Sequence, residues 1–186
     1  MSLDQLLTDN RFLVVLGRGG VGKTTVSASL AIRAATLGRK TVVVTIDPAN
    51  RLADALDIEQ TMKSPTKVTL SNESDKLFGL MMDRRQTCDE LVSRFSTDEK
   101  MKTKIFENPY YQHFSTSLAG GQEYMAIEKV RQLLASNEYD LVVLDTPPAI
   151  HAFDFLDAPE RFISGLKRIP STNESGSNTL LGRLRK

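Results

Sequence analysis

Three runs of nearly unbroken apolar residues divide the chain. The first is Phe12-Leu13-Val14-Val15-Leu16. The second, Lys40-Thr41-Val42-Val43-Val44-Thr45-Ile46, ends at Asp47, and the third, Tyr139-Asp140-Leu141-Val142-Val143-Leu144, ends at Asp145. A weaker fourth run is Leu77-Phe78-Gly79-Leu80-Met81-Met82. Runs this apolar predict buried strands of a parallel sheet covered on both faces. Between them lie helical patterns at residues 26–35, 84–95, 97–107 and 123–136. The second of these joins the third through Thr97-Asp98-Glu99-Lys100, a helix start with a cap. The last places Tyr124, Ile127, Val130, Leu133 and Leu134 on one face. Pro109 reads as a first-turn residue, and Gly120-Gly121 as a break. Strands alternating with helices predict an α/β fold, a mostly parallel sheet sandwiched by helices. A helical insertion spans about residues 84–118. One domain is expected over residues 1–170, followed by a flexible polar tail at 171–186.

The first strand leads into Gly17-Arg18-Gly19-Gly20-Val21-Gly22-Lys23-Thr24-Thr25 and then a helix. That strand–loop–helix context is what the phosphate-loop motif G-x-x-x-x-G-K-[ST] requires. Its glycines let backbone N–H groups turn inward around phosphates, and the helix start adds its positive dipole end. Lys23 is expected to reach the β- and γ-phosphates, and the Thr24 hydroxyl to hold Mg²⁺. Gly19, Gly20, Val21, Gly22, Lys23, Thr24 and Thr25 form the expected nucleotide-binding set.

Two carboxylates stand at the ends of the other strong runs. Ligands in open α/β sheets sit outside the carboxyl ends of the strands, so both point toward the loop. Asp47 begins Asp47-Pro48-Ala49-Asn50, where the proline disfavours helix at Asp47. Asp47 is expected to orient the attacking water or take its proton; the other reading is a cap for the helix that follows. Asp145 is expected to anchor Mg²⁺, directly or through water; the other reading is a strand-end turn. Arg18 is either a solvated side chain or a charge that neutralises the transition state, with both readings open. The sequence names no partner for His113 or His151, so neither is assigned to metal or catalysis. Met62, Met81, Met82, Met101 and Met125 read as ordinary core fillers before they read as an adaptable apolar groove.

Composition narrows the class. Among 186 residues, Lys plus Arg number 24 and Asp plus Glu 23, so charge argues for neither nucleic acid nor membrane. Cys88 is the only cysteine, which leaves no disulfide partner and no zinc pair and fits a reducing cytoplasm. The first ten residues lack the basic start and apolar run of a signal peptide.

Taken together these residues resemble the deviant phosphate-loop ATPases, the P-loop NTPase group of the arsenite-pump, tail-anchored-protein targeting, Min and Par ATPases and the nitrogenase iron protein. The loop from Gly17 to Thr25, with its basic residue 18, carries the likeness. The arsenite-pump and targeting branch is most similar. Its switch I resembles Asp47-Pro48-Ala49-Asn50-Arg51-Leu52-Ala53-Asp54-Ala55-Leu56. Its bacterial members also resemble Ala119-Gly120-Gly121-Gln122-Glu123-Tyr124-Met125-Ala126, Asp145-Thr146-Pro147-Pro148 with His151, and Asp154-Phe155-Leu156-Asp157-Ala158-Pro159. The likeness spans roughly Phe12 to Leu166.

The resemblance implies an enzyme that couples hydrolysis of Mg²⁺-ATP to ADP to conformational switching of a dimer. The dimer would be formed with a second copy or with a related ATPase. Residue 18 would reach the partner's phosphates, Asp47 would position water, Asp145 would sense Mg²⁺ through water, and the helical insertion between switch I and switch II would follow. A transient membrane-protein partner is a further expectation, whereas nucleic acid is not. Three departures bear on these expectations. Residue 18 is Arg where most of the family has Lys, which keeps the charge on a larger planar head. The cysteine pair that holds zinc in the targeting ATPases is absent, and one cysteine cannot build a thiol-based metalloid site within a single chain. Family members continue beyond switch II with more strands and the elements that hold adenine, none of which is read after Leu166; the sheet is then expected to keep an open edge. Two other functions are compatible with these residues. One is a nucleotide-binding module that needs a partner chain for turnover. The other is a Min- or Par-like positioning ATPase, which a membrane-targeting helix or a basic patch would favour.

Overall fold

The computed structural model describes residues 2–46, 51–58, 64–69, 75–109, 111–112, 115 and 121–146, with the backbone alone at 121 and 122. Asp47, His113, His151, Gly120, Pro147, Pro148, the 154–159 motif and the 171–186 tail lie outside the described residues. In chain order the elements are α1 (Leu3–Asp9), β1 (Phe12–Val15), α2 (Lys23–Thr36), β2 (Thr41–Thr45), α3 (Arg51–Leu56), β3 (Thr66–Lys67), β4 (Leu77–Met81), α4 (Arg84–Phe95), α5 (Glu99–Phe106), α6 (Gly121–Ser136) and β5 (Leu141–Asp145). Two compact units emerge, Met1–Asp83 with Ile127–Asp154 and Arg84–Ala126 with Phe155–Lys186.

Among the described residues, the first unit holds a five-stranded sheet in the order β1-β5-β2-β4-β3. All pairings are parallel except the two-residue β3, which runs antiparallel to β4. The run Thr41-Val42-Val43-Val44-Thr45 is β-branched throughout, which suits a strand. It is buried at every position, as is β5. Val42, Val44, Val142 and Leu144 are as fully buried as Val43, Leu141 and Val143, so both faces of the central strands are covered. One face packs into a core with Leu7 of α1, Leu52 and Leu56 of α3, and Ala28, Ala31, Ala34 and Ala35 of α2. Alanine is the best helix former, and four of them on one face let α2 lie close on the sheet. The helix stops in a Schellman motif at Gly38 (φ +87°), whose N–H reaches Ala35 O at 3.0 Å while Arg39 N–H reaches Ala34 O at 3.1 Å.

The first strand departs from expectation. Phe12 to Leu16 reads as buried, yet among the described residues β1 is the sheet edge, with Phe12 37% exposed and Leu13, Val14 and Val15 half-buried. An apolar run reports that both faces are covered, not whether a neighbour exists on each side. Two elements were not anticipated. The helix α1 is closed by a capping box in which Ser2 Oγ accepts from Gln5 N–H and Gln5 Oε1 accepts from Ser2 N–H. β3 is too short to leave a periodic signal.

In the second unit, Asp98 caps α5, its carboxylate accepting from Met101 N–H at 2.7 Å. Tyr111 donates its hydroxyl to Asp89 of α4 at 2.6 Å. Burial raises the Tyr111 phenol well above its usual range, and the Asp89 bond adds to the rise. Met82 and Met125 are buried and Met81 and Met101 half-buried, in line with ordinary packing. No helix among the described residues is long and apolar enough to cross a membrane.

Arg39 ties α1 to the sheet. Its guanidinium donates to Leu7 O, to Thr8 O at 2.8 Å, to Asn10 O at 2.6 Å and to Asp140 O. The first three are carbonyls at the end of α1, where helical partners run out, and the fourth lies just before β5. Arg39→Ala should therefore lower unfolding stability by about 2 kcal/mol, the scale of charged hydrogen bonds. In urea titration a loss under ~0.5 kcal/mol, the scatter of ordinary surface substitutions, would show that α1 is held by apolar contact alone.

Candidate functional site

Insertion of β5 between β1 and β2 assembles the site. In register, Val15 of β1 lies opposite Asp145 on one side, and Thr45 of β2 lies opposite it on the other. The chain leaves β1 into the glycine-rich loop, so the loop and the Asp145 end of β5 fall at the same carboxyl edge of the sheet. That is where open α/β sheets bind ligands.

The loop needs its glycines where it turns. Gly20 has φ +76°, and Gly22, the N-cap of α2, has φ +85°. Both angles are left-handed, a region costly for residues with a Cβ. No side chain caps α2 and no acidic residue lies in its first turn. Its leading N–H groups and dipole end are thus left for an external anion. Arg18, Gly19, Gly20, Val21, Gly22 and Thr25 are exposed, Val21 at 62%. Lys23 is 8% exposed, and its Nζ donates to Arg18 O at 2.9 Å, bridging the loop from end to start.

Asp145, 1% exposed, is the centre of the polar contacts. Its Oδ2 accepts from Thr24 Oγ1 at 2.9 Å and from Thr45 Oγ1 at 3.2 Å; its Oδ1 accepts from Ser27 Oγ at 3.2 Å. Desolvation raises its pKa above the ordinary carboxylate value. The three hydroxyls and the Lys23 charge act in the opposite direction and do not cancel it. The next residue, Thr146, donates its hydroxyl to Val15 O at 2.7 Å and so fastens the end of β5 to the last residue of β1.

Of the residues picked out from sequence, Lys23, Thr24 and Asp145 come together here, with Gly19, Gly20, Val21, Gly22 and Thr25 in the adjoining loop and helix start. Arg18 is in the loop with its side chain exposed. Sequence reasoning missed Ser27, Thr45 and Thr146. Ser27 follows Thr24 by three residues and so shares its helix face. Thr45 is a polar residue at the end of a strand buried at every position, which calls for a bonded partner. Both signals were present. Among the described residues no cluster of three His, Cys, Asp or Glu could hold a metal. The oxygen donors in view are those of Thr24 and Asp145.

Residues 10–183 match the family of anion-transporting ATPases. ATPase GET3 of Podospora anserina is 30% identical over 174 residues, which cover 94% of this chain and 50% of that protein. ATPase ARSA1 of Chlamydomonas reinhardtii is 34% identical over 171 residues, 82% of this chain and 22% of that protein. An ASNA1 homolog of Dictyostelium discoideum is 31% identical over 167 residues, 90% of this chain and 47% of that protein. The chain spans half or less of the length of these relatives. With a phosphate loop at the edge of a mostly parallel α/β sheet and a family match over nearly its whole length, the chain belongs to the ArsA-type anion-transporting ATPases, a family of P-loop NTPases.

Proposed function

We propose that this chain binds ATP with Mg²⁺ at the Gly17–Thr25 loop and hydrolyses it, and that it does so as one half of a dimer. The observation that carries the reading is the 2.9 Å contact between Thr24 and the buried Asp145 at the foot of the loop. The loop's N–H groups and Lys23 bind the β- and γ-phosphates. A hydroxyl beside a carboxylate is a hard oxygen pair that fits Mg²⁺, so Thr24 and Asp145 are its holders, Asp145 directly or through water. The ion, when bound, neutralises charge on the phosphates. Asp47 is assigned from sequence to orient the attacking water and accept its proton. Arg18, exposed on the loop, supplies a guanidinium to the phosphates of the facing subunit; its planar fork suits phosphate oxygens. The dimer itself rests on the likeness to the family and on this outward placement of Arg18.

Calorimetry on the full chain checks the site. Mg²⁺-ATP should bind, and Lys23→Ala should weaken binding about 10–100-fold, the equivalent of one lost charged hydrogen bond. Unchanged affinity would remove the loop from the reading. Asp47→Asn should still bind Mg²⁺-ATP but lose phosphate release; undiminished turnover would clear Asp47 of its role.

Asp145 is then a group kept for its ligand against the interest of the fold. Its pKa is raised in the folded chain, so the folded state favours the neutral form. This contribution to stability is present below the unfolded carboxylate pKa and is lost as pH rises through the folded value. With nucleotide absent and EDTA present, Asp145→Asn should raise the melting midpoint at pH 7 by about 2–4 °C, as ~1 kcal/mol does in a chain this long. The advantage should shrink as pH falls through the folded-state pKa of Asp145, where the wild-type carboxylate is itself protonated. A variant less stable than wild type at pH 7 would contradict the assignment.

A further inference from the structure

Three hydroxyls meet the Asp145 carboxylate, and only one belongs to the phosphate motif. Ser27 and Thr45 are both fully buried, and neither contributes an atom to the loop. Their settings make them exceptions. Ser27 adjoins the alanine face of α2, where Ala28, Ala31 and Ala34 are buried, and another alanine would fit that run. Thr45 ends the buried run Val42-Val43-Val44, where a valine would keep the same shape. Packing alone does not call for a hydroxyl at either position.

Their donors approach from different elements and divide the carboxylate between them. Ser27, on α2, holds Oδ1, and Thr45, on β2, holds Oδ2. An aspartate's terminal torsion is otherwise broad. A donor on each oxygen fixes it and keeps Oδ2 turned toward Thr24. The Thr24 proton then has a standing acceptor at 2.9 Å, and its two lone pairs stay free for another partner. Mg²⁺ demands near-ideal placement of its oxygen donors, so the orientation of this hydroxyl matters more than its mere presence.

We propose that Ser27 and Thr45 are positioning residues that lock the Asp145 carboxylate from α2 and β2, so that Thr24 presents its oxygen to the Mg²⁺ of a bound nucleotide. This rests on the reading of the loop as a Mg²⁺-nucleotide site. Outer hydrogen bonds to metal-holding groups characteristically matter about 10–100-fold in metal affinity. They have no part in binding phosphate to loop N–H groups.

The test is calorimetric titration of the full chain with ADP, once in EDTA and once with Mg²⁺. Ser27→Ala and Thr45→Val should each cut the Mg²⁺ enhancement of ADP affinity about tenfold, while affinity in EDTA stays as in wild type. Thr45→Ser, which restores the donor, should recover the enhancement. The proposal is overturned if both variants keep the full enhancement, or if they lose affinity in parallel with and without Mg²⁺, as a purely structural role would give. If Thr45→Val fails to fold, Ser27→Ala carries the same comparison on a helix face that accepts alanine. Wild-type chain that binds ADP under neither condition would overturn the site reading beneath the proposal, a result distinct from either of these.

Discussion

The register of β5 against its two neighbours is the constraint on which the site depends. Because β5 lies between β1 and β2, its last residue is flanked by the last residues of both. A shift of one residue would turn Asp145 to the opposite face and carry it away from Thr24, since side chains alternate along a strand. The register is well defended. Val142, Val143 and Leu144 are fully buried on alternating faces, and any slip would exchange one buried set for another and move the charged residue into apolar surroundings. The apolar packing of the central strands thereby fixes the position of the carboxylate on which β5 ends.

That carboxylate would be costly in isolation, because an unpaired buried charge loses its hydration. Three hydroxyls and the nearby Lys23 ammonium offset part of the cost without cancelling it. Lys23 is held in a related way, its stem buried and its ammonium fastened to a carbonyl of the same loop. Two opposite charges are thus presented at the foot of the loop, each partly satisfied by the protein. A polyanion accompanied by a divalent cation is complementary to both, because phosphate oxygens take up the ammonium and the cation takes up the carboxylate.

The sequence made the central architecture legible because the central strands are buried on both faces, and that condition writes itself as unbroken apolar runs. The motif placed Lys23 and Thr24 because its spacing is set by loop and helix geometry. Asp145 was readable because a charge directly after four apolar residues must sit where a strand emerges. The rest was illegible for identifiable reasons. The edge position of β1 depends on which strands neighbour it, and apolarity does not encode that. Ser27 and Thr45 each carried a local signal within its own element, but nothing local names the partner they share. Their meaning arises only when α2, β2 and β5 converge, over sequence separations of 118 and 100 residues from Asp145. Arg39 was likewise invisible, since the carbonyls it serves become its neighbours only after α1 folds back.

The two ends of the sheet divide the labour. At the amino ends of the strands, polar side chains act on backbone and on each other. Arg39 serves α1 and Asp140, and Arg11 donates to Leu134 O and Asn137 at the end of α6. Lys76 Nζ reaches Gly38 O, and Lys40 lies 5.3 Å over Phe78 and 5.2 Å over Tyr139, rings that meet edge to face. These contacts join chain segments and present little to a ligand. At the carboxyl ends, among the described residues, the polar side chains gather on one carboxylate and one loop, and Lys23 and Thr146 fasten backbone carbonyls at Arg18 and Val15. Damage at the first end therefore loosens the frame, whereas damage at the second leaves a buried charge with fewer partners inside an intact frame. The parallel sheet makes this separation possible, because every parallel strand delivers its carboxyl end to the same edge.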